Sequence, residues 1–275
     1  MMQPIRTLEL VGWDMDEYEF RPRSFDRNRA AMARAEIAQQ QPLIGGSALC
    51  EEETILLRDA FAKQDSRADL RAELNCLNWS LGVVDLRQLL SFQRRLSFHP
   101  TLPAMRVPER GDWAALMDIA FAVPKPAVYD AVHDISTNTI TLRSSNPNLH
   151  LRVSTESASL ITVHTQSPFF EVARYAGRWF LRDGYHRAFE LLRAGISKLP
   201  AVIVEARTFE ELGAAQPHFF CESVLLAERA PCVTDFLDPS MTIAYQRPQT
   251  ITTLRITMHE SIAIATDRDD SGEQT

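Results

Sequence analysis

The chain has 275 residues, 45% of them hydrophobic and 24% charged, with a formal net charge of −7. A chain of that length buries about three quarters of its unfolded surface, and the composition is globular, which excludes a disordered or coiled-coil protein. The acidic balance excludes a protein that coats nucleic acid by neutralising its phosphates.

Only Lys63, Lys125 and Lys198 of the 29 basic residues are lysines, a bias that reads as GC-rich coding more than as selection for anion recognition. Cys50, Cys76, Cys221 and Cys232 are widely spread without a CxxC pair and read as reduced thiols. No apolar run approaches the roughly 20 residues of a membrane span, and the first 20 residues carry acidic side chains where a signal peptide would be apolar. A cytoplasmic protein without membrane contact is expected.

In chain order, the first 24 residues show no clear period, and "SFDRNRAAMARAEIAQQQ" then predicts a helix. "EEETILLRDAFAKQ" predicts a second, with acidic residues in its first turn and Leu56, Leu57, Ala60 and Phe61 at helical spacing. "SRADLRAEL" predicts a short third, so residues 1–76 form a helical N-terminal region. Alternating Leu77, Trp79 and Leu81 predict a strand, after which Asp85 caps a helix carrying Leu86, Leu89 and Leu90. Five prolines lie between 100 and 126 and flank one apolar helix, "DWAALMDIAFAV".

From Ala127 to Phe180 the pattern is β, read as consecutive antiparallel strands, with "RYAGRW" as a hairpin turn. Thr208 and Glu211 stand in capping-box spacing, Leu254, Ile256 and Met258 alternate, and residues 268–275 form a polar tail. No internal repeat is visible. The simplest organisation is the helical region followed by one α+β domain over 77–267 with a strand-rich insertion.

The segment "LRDGYHRAFELLRAGISKLPAVIVEA" carries the one candidate site. Tyr185, Ala188, Phe189 and Leu192 lie at i, i+3, i+4 and i+7, Gly195 stands where a C′ glycine belongs, and Pro200 precedes an apolar strand. The start of this helix offers backbone N–H groups to an anion, Gly184 permits close approach, and His186 and Arg187 add donors. Asp183 can equally serve as an ordinary N-cap, and a His-Arg pair can equally be structural.

This segment resembles the nucleotide-binding motif of the ParB/sulfiredoxin superfamily: strand, Gly-x-[His or Arg]-Arg turn, helix with an early Ala, terminal Gly, then Pro before an apolar strand. The turn "DGYHR" is similar to the "DGHHR" of the free-serine kinase branch. More weakly, "VVDLRQLLSFQ" resembles the entry segment of that fold, and the remaining two thirds of the chain match nothing in it. The resemblance implies an α+β fold with a ParB/sulfiredoxin-like mixed sheet and additional antiparallel strands. It also implies that Gly184, His186 and Arg187 contact the phosphates of a nucleoside triphosphate or diphosphate held with Mg²⁺, with Asp183 shaping the turn. Sulfiredoxins have their catalytic cysteine where Tyr185 stands, which argues against a sulfinic-acid reductase. ParB proteins have a metal-holding glutamate there, which argues against a ParB-type CTP switch.

No Walker, GxSxG or HExxH motif occurs. A general base for phosphoryl transfer or nucleotide hydrolysis would be Glu171 or Asp183, and Glu171 reads equally well as a solvated strand residue. His218, Cys221 and Cys232 lack a fourth zinc ligand at standard spacing, and His150 and His164 read as polar-face strand residues. The expectation is nucleotide binding with an unidentified second substrate or protein partner. The alternatives are a non-catalytic protein-interaction module on the same fold, in which the turn serves only packing, or a DNA-associated ParB relative or nuclease. An open turn with outward donors favours binding, and a turn plugged by neighbouring side chains favours the module.

Overall fold

The computed structural model describes residues 3–40, 46–100, 105–146, 150–153, 161–164, 167–216 and 218–262. It is a mixed α+β protein with several sheets, divided into two compact units: residues 1–125 with 166–249, and residues 126–165 with 250–275. Among the described residues no helix is long and apolar enough to cross a membrane.

The elements run β1 (Ile5–Leu10), α1 (Arg27–Ile37), α2 (Glu51–Leu56), α3 (Arg58–Asp65), α4 (Ala68–Glu73), β2 (Trp79–Asp85), β3 (Leu90–Ser91), β4 (Arg95–Phe98) and α5 (Trp113–Ala120). After them come β5 (Asp130–Asp134), β6 (Thr139–Ser144), β7 (His150–Val153), β8 (Ile161–His164), β9 (Glu171–Tyr175), β10 (Arg178–Asp183), α6 (Tyr185–Arg193) and β11 (Lys198–Glu205). The chain closes with α7 (Phe209–Leu212), α8 (Glu222–Leu225), β12 (Thr242–Arg247) and β13 (Thr252–Thr257).

The larger unit holds a five-stranded sheet of order β2-β11-β9-β10-β3, in which β11–β9 and β10–β3 are parallel and the other pairs antiparallel. Its core strands are buried over most of their length, as in β11, where Leu199 to Val204 are all buried. Pro200 pairs with Val83 of β2 but is tolerated because the Val202 N–H, two residues on, points to the β9 side, so the missing N–H of Pro200 faces that side before β9 joins. The turn Ala176–Gly177, with both residues at positive φ, joins β9 to β10 as the sequence predicts.

Three sequence expectations change. Residues 1–76 are not purely helical, because β1 pairs with β12 and β4 in a three-stranded antiparallel sheet. Five of its six residues are buried, so no alternation marks it as a strand. The helix expected over residues 51–64 is two helices meeting at Leu57, and the Thr54 hydroxyl bonds both the Cys50 carbonyl and the Val83 N–H, fastening α2 onto β2. The helix expected after Asp85 is a single 3₁₀ turn, Leu86–Gln88, because Leu90 and Ser91 pair with Phe180 and Leu181 of β10 instead.

In the smaller unit β6 is flanked by β13 and β5, and β7 pairs with β8, placing His150 opposite His164 in register. The strands expected between 127 and 180 are therefore divided: β5 to β8 belong here, whereas β9 and β10 belong to the five-stranded sheet. The expected tail, residues 268–275, lies outside the described residues.

A buried ion network secures the N-terminal segment to the three-stranded sheet. Glu9, 2% exposed, accepts from Arg21, from Arg95 Nε at 3.1 Å and from the Tyr245 hydroxyl at 2.8 Å. Arg95 also bonds Asp16 and lies 3.9 Å over the Tyr18 ring. Desolvation pushes the Asp16 carboxyl up, but Arg95, Arg94 and Arg21 together hold it below its ordinary value. Arg95→Met should therefore cost about 3–5 kcal/mol in denaturant unfolding, because Glu9 is left buried with part of its charge uncompensated. The Asp16 contribution is present above its unfolded pKa of 3.8 and is lost as pH falls through the lower folded value. Asp16→Asn should accordingly lower the melting temperature at neutral pH, with the gap to the parent closing below pH 3.8.

Candidate functional site

The segment from 181 to 206 folds as its sequence predicts: β10 ends at Asp183, α6 starts at Tyr185, and β11 follows from Lys198. Gly184 is the N-cap, at φ 101° and ψ 22°, and has no side chain with which to cap the first N–H groups of α6. At the other end the Gly195 N–H donates to the Leu192 carbonyl and the Ile196 N–H to the Leu191 carbonyl, both at 2.9 Å, which is a Schellman closure.

The need for glycine at 184 comes from within the protein. A Cβ there would lie 2.4 Å from the Phe170 ring, which is fully buried, and 3.1 Å from Arg187 Nε. The surface of Gly184 that was expected to admit a phosphate is thus covered by Phe170. Positive φ adds a second reason against any other residue.

The Arg187 side chain is only 20% exposed and directs its guanidinium to main-chain carbonyls. Nη1 donates to the carbonyls of Ile119 at 3.1 Å and Pro168 at 2.7 Å, and Nη2 donates to Phe169 at 2.6 Å and lies 3.5 Å from the Asp183 carboxylate. Desolvation draws its pKa below the ordinary arginine value, opposed by the charges of Asp183 and Glu171. His186 is also committed: Nε2 donates to the Ser97 carbonyl at 2.7 Å, and the ring stands edge-on to Phe98 at 5.4 Å. Desolvation lowers the imidazole pKa, favouring the neutral ring.

Tyr185 faces the core, as its helical spacing implies. Its hydroxyl donates to the Leu181 carbonyl at 2.8 Å and accepts from the Phe92 N–H at 3.1 Å, while burial raises the phenol pKa. The side chain therefore joins α6 to the segment that follows β3.

The two candidate carboxylates, on the two strands of one hairpin, are brought opposite each other. Asp183 stands directly opposite Glu171 in the β9–β10 register, with Arg182 as the extra residue of a bulge. Glu171 is buried, not a solvated strand residue. Its Oε2 accepts from Arg182 Nη1, whereas Glu171 Oε1 and Arg182 Nε are buried without a hydrogen-bond partner. Arg182 and Phe170 are the residues that sequence reasoning missed. Both adjoin residues it named, and the pairing of Arg182 with Glu171 follows only from strand register.

His218, Cys221 and Cys232 are not assembled into a metal site. Among the described residues no group of three or more His, Cys, Asp or Glu side chains could hold an ion. Cys221 Sγ lies 3.2 Å from the Ser223 hydroxyl, and burial pushes the Cys232 thiol up to about 12. All four cysteines are free.

The side chains of the turn do not fit the nucleotide phosphates that the sequence resemblance implies, since both expected side-chain donors bond main-chain carbonyls and Phe170 covers Gly184. Comparison with protein-family models, with curated proteins and with solved structures found no match to this chain.

Two substitutions check the packing role. Gly184→Ala should destabilise by more than about 1–3 kcal/mol, combining positive-φ strain with the Phe170 overlap. Arg187→Met should cost about 3 kcal/mol or more, because three carbonyls lose their donor. Chemical denaturation of the ligand-free chain measures both.

Proposed function

We propose that this chain is a non-catalytic protein-interaction module on a ParB/sulfiredoxin-like α+β frame, in which the nucleotide turn has been turned over to packing. The observation that carries the reading is the commitment of both donor side chains of the turn, Arg187 and His186, to backbone carbonyls of their own unit. The strand, turn, helix and strand over 181–206, set in a mixed sheet, support the frame. Exposed apolar side chains support an interaction role: Val128, Val132, Ile135, Ile251 and Ile262 of the smaller unit are each more than half exposed.

A second reading keeps a Mg²⁺-nucleotide on the backbone N–H groups at the start of α6. It is favoured by the uncapped Gly184 and by the buried Glu171 Oε1, an acceptor without a donor. A thermal-shift screen decides between the two. A nucleotide at a hundred times its dissociation constant adds about 2.7 kcal/mol to stability. The module reading expects no shift with ATP, ADP or CTP, with or without Mg²⁺, and a reproducible rise with any of them overturns it.

A further inference from the structure

The smaller unit carries a sheet edge whose side chains specify what would pair with it. Strand β5 is terminal in the order β13-β6-β5 and, among the described residues, pairs with β6 alone. All five of its residues are exposed, Val132 by 64%, and Val128 and Ile135 flank the strand at 82% and 84%. An antiparallel strand bonded on one side turns alternate N–H and C=O groups outward, which is the template for strand addition.

Alternation places Asp130, Val132 and Asp134 on one face of the sheet. On that face Arg143 of β6 stands across from Asp130 and Thr139 across from Asp134, so the acidic row forms the outer rim and its basic neighbour lies inward. Asp134 also accepts from the Ser136 N–H and hydroxyl. A second copy is disfavoured at this edge. Antiparallel self-pairing centred on Val132 opposes Asp130 to Asp134, and in-register parallel pairing opposes each aspartate to itself.

Resting on the interaction-module reading, we infer that the free edge of β5 docks an extended basic segment of another protein. That segment has Lys or Arg opposite Asp130 and Asp134 and an apolar residue opposite Val132. The pattern, basic-x-apolar-x-basic, reads the same in both strand directions, so charge fixes the register and main-chain bonds supply the affinity.

The test uses the full chain and a fluorescein-labelled peptide with the core Lys-Thr-Val-Thr-Lys, read by anisotropy. We expect saturable binding, at least tenfold weaker when both lysines are replaced by Glu. The same loss is expected when alternate peptide nitrogens are methylated, which blocks strand pairing and leaves the charges in place. Asp130→Lys, at an exposed site, should keep the parent melting temperature and weaken the basic peptide severalfold. Adding Asp134→Lys should make the Glu peptide the preferred ligand. Equal affinity for the Lys and Glu peptides, equal affinity for the methylated peptide, or no binding by the parent overturns the inference. Run beside the nucleotide screen, a failed peptide with no nucleotide shift removes this inference alone, whereas a nucleotide shift removes the module reading and this inference with it.

Discussion

The larger unit depends on one guanidinium. Arg187 gathers the carbonyls of Ile119, Pro168 and Phe169, and thereby ties the first turn of α6 to the end of α5 and to the chain entering β9. Carbonyls at the end of a helix and in a connecting loop have no secondary-structure partner, and a planar cation with several donors can satisfy three of them at once. The Phe170 N–H donates to the Ala120 carbonyl at 2.7 Å, so the same junction is closed from both sides.

Around that clamp the turn serves as a joint between elements. Tyr185 reaches the segment after β3, His186 reaches β4, and Phe170 packs on Gly184, so successive residues of one turn hold separate parts of the unit. Burial of apolar surface supplies most of the stability, and these directional bonds determine where α6 sits on it. The side-chain donors of the turn already bond the chain, so the groups it still turns outward are the backbone N–H groups at the start of α6, which Gly184 leaves without a side-chain cap.

Acidic residues are used in two opposite ways. Glu9 and Asp16 are held among arginines in the ion network of the N-terminal segment, where their charges are matched within the protein. Asp130 and Asp134 are exposed at a sheet edge. Such charges discourage pairing between identical strands, and they also select which other strand can pair.

The sequence by itself determined the local structure around the candidate site. Glycine at 184 and 195 and the apolar stripe of α6 depend on neighbours within a few residues, and α6 lies where they put it. Short-range chemistry likewise marked the Thr208 cap, which accepts from the Glu211 N–H of its helix. Tertiary structure decided what the donors are for. The carbonyl partners of Arg187 lie 18 to 68 residues away, that of His186 lies 89 away, and the Glu171–Asp183 juxtaposition requires the β9–β10 register. It also overrode local preference at Leu90, drawn into a parallel pairing, and at β1, whose burial on both faces removed its alternation. The physical reason is range: helix and turn propensities act over a few residues, whereas the carbonyl that a side chain bonds is chosen only when the sheet assembles.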